Sequence, residues 1–167
     1  MLPVVLIGPM AAGKSKIGSR VAAVLDLPFI DTDMVIVDRH GAISDIFAAE
    51  GEEHFRELEA EAIAEALGAG AGAGAIISIG GGGVLHPATR ELLADAAVVY
   101  LSVDADSVKS RIGGGKRPLL KNGLADWLRI YEERRPTYEE LATIHIDTSN
   151  RDIDSIADEV AAWVRGK

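Results

Sequence analysis

Gly8-Pro9-Met10-Ala11-Ala12-Gly13-Lys14-Ser15 is the stretch that decides the fold. It matches G-x(4)-G-K-[ST], a tight loop that turns successive backbone N–H groups toward phosphates while the following helix adds the positive end of its dipole. Its context is the one the pattern requires. Val4-Val5-Leu6-Ile7 before it reads as a short buried parallel strand, and Gly13 to Leu25 after it as a helix with Ile17, Val21, Val24 and Leu25 on one face. Lys14 is placed to reach the β and γ phosphates of a nucleoside triphosphate, and the Ser15 hydroxyl to ligate Mg²⁺. Ala11 and Ala12 stand where many such loops carry glycine or serine; alanine supplies the same N–H groups provided its φ is negative.

Outward from this loop, strands and helices alternate. Pro28-Phe29-Ile30 begins a second strand, which ends at Asp31-Thr32-Asp33. Ser44 to Leu67 is helical, with an interruption at Gly51 that separates two helices. The repetitive Gly68–Gly74 reads as a flexible surface connector. Ala75–Ile79 is a central strand that stops at four glycines, Gly80 to Gly83, and Pro87 then opens a short helix. Ala97–Val103 is a strand, Asp104–Ile112 is helical, and Gly113-Gly114-Gly115 introduces a mobile stretch to about Gly123. A long helix, the strand Thr143–Ile146 and an amphipathic helix to Trp163 complete the pattern. Such alternation predicts an α/β fold of three α/β/α layers around a five-stranded parallel sheet, with ligands at the carboxyl ends of the strands. The length predicts one domain over 1–167.

Composition narrows the function classes. A hydrophobic content of 48% excludes a disordered chain, and no apolar run approaches a membrane span. No secretory signal precedes the first strand and there is no cysteine, so disulfides, thiolate metal sites and thiol catalysis are excluded and a cytoplasmic protein is expected. The net charge of −9 argues against nucleic acid as a partner. A chain this acidic handles anionic phosphates only by concentrating positive charge locally, which directs attention to single arginines.

Alternate residues of a strand share a face, so Asp31 and Asp33 are expected to point into one cleft, one holding Mg²⁺ and the other orienting or deprotonating an acceptor hydroxyl. Alone, the tripeptide is also an ordinary loop cap. Phe55-Arg56-x-x-Glu59 has helical spacing and by itself reads as a core aromatic beside a surface ion pair. The glycine run after a buried strand has no expected packing use, but it admits backbone N–H groups close to a ligand. Gly113 to Leu120 reads either as a hinged lid whose Arg117 stabilises transferring charge or as a loop with a solvated Lys116-Arg117 pair. Pro136 is expected to break or kink the helix holding Arg134-Arg135-Pro136-x-Tyr138, with one of the two arginines reaching the cleft.

Taken in order, Gly8–Ser15, Asp31-Thr32-Asp33, Phe55-Arg56-x-x-Glu59, Gly80–Gly83, Arg117-Pro118-Leu119-Leu120 and Arg134-x-Pro136-x-Tyr138 resemble the motif set of shikimate kinases, over nearly the whole chain from Val4 to Arg151. The resemblance implies a P-loop kinase of the nucleoside monophosphate kinase type, with an acceptor region over about 31–62 and a mobile lid over about 112–124. It implies transfer of the γ-phosphoryl group of ATP to the 3-hydroxyl of shikimate, with Mg²⁺ on Ser15 and Asp31. By that likeness Asp33, Lys14 and Arg117 are the catalytic groups. ATP would lie on Ala11, Ala12, Gly13, Lys14, Ser15 and Lys16, with Arg117 over the phosphates and Arg111 and Arg151 flanking the adenine. Shikimate would meet Asp33, the clamp of Arg56 and Arg134, the backbone of Gly80, Gly81 and Gly82, and an apolar wall of Phe47 and Phe55. Lys16 departs from the family's usual threonine, the lid is slightly shorter than in some relatives, and the fourth glycine, Gly83, has no assigned role. A gluconate-type or nucleotide kinase, and a nucleotide-binding module without transfer activity, are the competing readings. The expected partners are ATP and shikimate alone, with no nucleic acid and no membrane, on a monomer.

Overall fold

The computed structural model describes residues 1–112 and 119–167. Val4–Ile7 (β1) and Ala97–Ser102 (β4) are buried at every position, as strands must be when helices cover both faces of a sheet. With Phe29–Asp31 (β2), Ile76–Ser78 (β3) and Ile144–Asp147 (β5) they form one parallel sheet in the order β2-β3-β1-β4-β5. The registers set Val4 opposite Ile76 of β3 and Ala97 of β4, and Ile7, the last residue of β1, opposite Tyr100, so β4 runs on to Ser102 past the end of β1.

The helices are Lys14–Leu25 (α1), Thr32–His40 (α2), Ile43–Gly70 (α3), Pro87–Leu93 (α4), Ala105–Lys109 (α5), Leu124–Leu141 (α6) and Ile153–Arg165 (α7). The connection from β1 runs one way along the sheet and those from β2, β3 and β4 the other. Right-handed crossovers therefore put α1 on one face, where it packs on α7, and α3, α4 and α6 on the opposite face. The reversal falls between β1 and β3, where an open α/β sheet leaves a crevice. Among the described residues, no helix is long and apolar enough to cross a membrane.

Four local expectations are corrected. Asp31 and Asp33 are not alternate residues of a strand. Asp31 caps α2, its Oδ1 accepting the Asp33 and Met34 N–H groups at 3.0 and 3.2 Å, and Asp33 lies in the first helical turn. The Gly68–Gly74 connector is helical as far as Gly70, which is buried against Pro3 and Ala75. Helix α6 continues through Pro136 without a break. Ala11 adopts φ 65°, not a negative value, a left-handed conformation that costs a residue with a Cβ about 1 kcal/mol.

Gly51 does interrupt α3, with φ 85° and ψ 171°, so 43–50 leaves the axis of the longer segment. Of the expected lid, residues 113–118 lie outside the described residues, and Arg117 is among them.

Candidate active site

A cleft of about 1000 Å³ opens at the carboxyl ends of the strands and is lined by residues of the phosphate loop, of 33–59, of the glycine run and of α6. Gly8 has φ 146°, and a Cβ there would stand 2.1 Å from the Leu101 carbonyl oxygen, so only glycine lets the loop leave β1 at this angle. The carbonyls of the loop are then held one after another. Lys14 Nζ donates to Gly8 O and Pro9 O, each at 2.9 Å. Trp127 Nε1 donates to Met10 O at 2.8 Å, Arg111 Nη1 to Ala11 O at 2.9 Å and Thr148 Oγ1 to Ala12 O at 3.2 Å. With trans peptides throughout, the Met10 carbonyl held by buried Trp127 turns the Ala11 N–H the other way, toward the cleft, while the Ala12 N–H donates to Pro9 O at 3.3 Å.

Lys14 is buried, and desolvation pushes its pKa down to about 8 against the opposing pull of Asp33 and Asp31. Ser15 Oγ donates to Asp31 Oδ2 at 2.5 Å, which pairs the hydroxyl at the helix start with the carboxylate at the end of β2. Asp33 reaches the cleft floor. Its Oδ1 is buried without a hydrogen-bond partner among the described residues, and desolvation, reinforced by Asp31, raises its pKa above the usual aspartate value.

Arg56 lies over the Phe55 ring at 5.2 Å and donates through Nη1 to Glu59 Oε1 at 2.7 Å. Glu59 is 2% exposed, and burial raises its pKa in spite of Arg56. Arg134, buried on α6, enters the same cleft, whereas Arg135 points outward to Glu132 at 3.4 Å. Phe47 and Phe55, with ring centroids 5.0 Å apart, form an apolar wall.

The glycine run has the packing use that its sequence does not advertise. None of its glycines has a positive φ; the requirement is space. A Cβ on Gly80 would stand 2.7 Å from Glu59 Oε2 and 2.9 Å from Asp33 Oδ1, one on Gly82 2.3 Å from Arg56 Nη1, and one on Gly83 2.9 Å from Ile63 Cδ1. Gly83 therefore seats the run on α3.

The fold brings Ala11, Ala12, Gly13, Lys14, Ser15, Lys16, Asp33, Phe47, Phe55, Arg56, Gly80, Gly81, Gly82, Arg111, Arg134 and Arg151 to this one cleft, with Asp31 behind Ser15. Arg151 also binds Glu159 at 2.6 Å. Trp127 and Thr148 carry no local motif for a site role and Tyr138 stands in the Arg134-x-Pro136-x-Tyr138 motif with no role assigned to it; their contacts with the loops were not foreseeable from spacing. Glu59 was visible at i+3 from Arg56, but its burial was not.

Residues 10–165 match the family model described as shikimate kinase. The chain is 40% identical to a shikimate kinase of Rhodococcus jostii over 95% of each chain. It superposes on a shikimate kinase from Acinetobacter baumannii, solved in complex with shikimate, with a TM-score of 0.91 and 31% identity, covering 99% of this chain and 94% of that one. A gluconokinase from Sinorhizobium meliloti, at 21% identity and a TM-score of 0.66 over 99% of this chain and 92% of that one, shares the fold alone.

Proposed function

The chain belongs to the shikimate kinase family of ATP-dependent kinases, and on that premise we propose that its cleft transfers the γ-phosphoryl group of ATP to the 3-hydroxyl of shikimate, giving shikimate 3-phosphate and ADP. The observation that carries the reading is the buried Oδ1 of Asp33, which has no partner among the described residues and lies between the phosphate loop and the glycine run. A carboxylate oxygen with no partner among the described residues is suited to accept a hydrogen bond from an acceptor hydroxyl, and its raised pKa makes it a better proton acceptor than an ordinary aspartate. Asp33 Oδ1 takes the proton of the 3-hydroxyl as that oxygen bonds to the γ-phosphorus and the bond to the ADP oxygen breaks.

Arg56 and Arg134 clamp the acceptor carboxylate, for which planar guanidinium groups are suited. The Phe47 and Phe55 wall faces the apolar side of the ring. This pairing favours shikimate over gluconate, a carboxylate without a ring. Lys14 and the loop N–H groups hold the β and γ phosphates, with Lys16 beside them, and Arg111 and Arg151 border the nucleotide base. Arg117 is the lid arginine in this reading.

Ser15 and Asp31 fit Mg²⁺: a hydroxyl and a carboxylate already in contact are hard oxygen donors, and two protein oxygens leave room for water and phosphate oxygens. When bound, the ion neutralises charge on the phosphates.

Asp33→Asn keeps the side-chain shape and removes the proton acceptor. Turnover is expected to fall by about 10²- to 10⁴-fold while nucleotide affinity stays within about twofold, as read by steady-state kinetics and ADP titration. Near-normal turnover would remove Asp33 from the reaction.

A further inference from the structure

Helix α6 carries Trp127, Tyr131, Arg134 and Tyr138 at i, i+4, i+7 and i+11, a spacing that puts all four on one helical face, and all four are buried. Arg134 is part of the proposed acceptor clamp. The two outer residues touch neither proposed substrate position; each holds a loop peptide instead. The Trp127 indole N–H donates to Met10 O at 2.8 Å, and the Tyr138 hydroxyl donates to Gly81 O at 2.5 Å. Tyr138 is fully buried, and the low-dielectric surroundings push its pKa to about 12, so it remains a donor at physiological pH.

A trans peptide points its C=O and the next residue's N–H in opposite directions. Fixing Met10 O away from the cleft therefore turns the Ala11 N–H toward it, and fixing Gly81 O does the same for the Gly82 N–H. Ala11 and Gly82 both line the cleft, and the Gly82 N–H has no acceptor among the described residues. The two loops also abut, since a Cβ on Gly81 would stand 3.4 Å from Met10 N. Neither loop peptide is held by a ladder at these points. Ala11 is in addition left-handed, a conformation that needs support from outside the loop.

We propose that α6 is a positioning element shared by the two half-sites: Trp127 sets the Met10–Ala11 peptide for the nucleotide phosphates, and Tyr138 sets the Gly81–Gly82 peptide for the acceptor. This rests on the kinase reading above and adds two residues that act through backbone N–H groups. One helix face thus places the acceptor arginine, a donor-side N–H and an acceptor-side N–H in a fixed mutual geometry.

Tyr138→Phe keeps the ring and deletes only the donor, and Trp127→Phe keeps an aromatic ring while deleting the donor and part of the indole. Trp127→Phe is expected to raise KM for ATP about fivefold with KM for shikimate within about twofold; Tyr138→Phe is expected to raise KM for shikimate about tenfold with KM for ATP within about twofold, the effect of one oriented hydrogen bond. A general loss of packing would raise both constants in both variants, and that outcome, or no change in either, overturns the proposal. Amide resonances supply a readout independent of turnover. Trp127→Phe should displace the Ala11 N–H signal and weaken ADP binding, Tyr138→Phe should displace the Gly82 N–H signal, and in the unmutated protein ADP should move the first and shikimate the second. Unmoved Ala11 and Gly82 signals contradict the proposal even if a variant folds poorly. Absence of shikimate-dependent ADP release by the unmutated protein, with both amide shifts present, would instead count against the kinase reading alone.

Discussion

Asp33 and Lys14 are displaced in opposite directions by one cause. Burial penalises the charged form of each, which lifts the aspartate above its usual range and lowers the lysine to about 8. The proposed reaction needs both charged: Asp33 to take a proton, Lys14 to hold phosphate. Activity is therefore lost on the acid side as Asp33 becomes protonated, at a pH above that of an ordinary aspartate, and on the alkaline side as Lys14 loses its proton. The pH profile of kcat/KM for ATP, which reports the free enzyme, is expected to be bell-shaped with its alkaline limb near pH 8. A profile flat to pH 10 would show that Lys14 keeps its proton far above that value. The left-handed φ of Ala11 is accepted because its carbonyl is held by Arg111 and its neighbours' by Trp127 and Thr148.

Among the elements, the glycine run changes most between sequence and structure. Its spacing after β3 announces close approach of a ligand, yet three of its glycines also make room for Glu59, Asp33, Arg56 and Ile63. A Cβ on Gly82 would stand 2.3 to 2.5 Å from the Arg56 guanidinium, the far end of a flexible side chain that can yield without unfolding the protein. Gly82→Ala is thus expected to displace Arg56 and raise KM for shikimate more than about tenfold, with a melting temperature close to that of the unmutated protein; unchanged KM would show that Arg56 does not clamp the acceptor. The phosphate loop, β1 and α1 were legible because apolar periodicity and the G-x(4)-G-K-S spacing are local signals. Helix α2 was not. Asp31-Thr32-Asp33 reads equally as a strand end or a cap, and Asp31 is both, the last residue of β2 and the cap of α2. Pro136 likewise breaks a helix by local rules, but α6 is held by its buried face and continues. The contacts of Trp127 and Tyr138 span 117 and 57 residues, and no window along the chain contains both partners.

Across the whole molecule, the switch in connection direction between β1 and β3 sets the phosphate loop beside the glycine run, and α6 braces both. A chain of net charge −9 gathers Lys14, Arg56, Arg111, Arg134 and Arg151 at that crevice, so its positive potential is local to the site where two anions must meet. The acceptor half decides which metabolite is phosphorylated, because the donor half is common to P-loop kinases. The direct test is a coupled assay of ADP release from ATP and Mg²⁺ with shikimate, gluconate or a nucleoside monophosphate as acceptor. Release with shikimate at least about 10²-fold faster per unit concentration than with either competitor is the predicted result, since lost pairing of buried polar groups costs a poorly fitting acceptor that much or more. Equal or faster release with gluconate or the nucleotide would contradict the account.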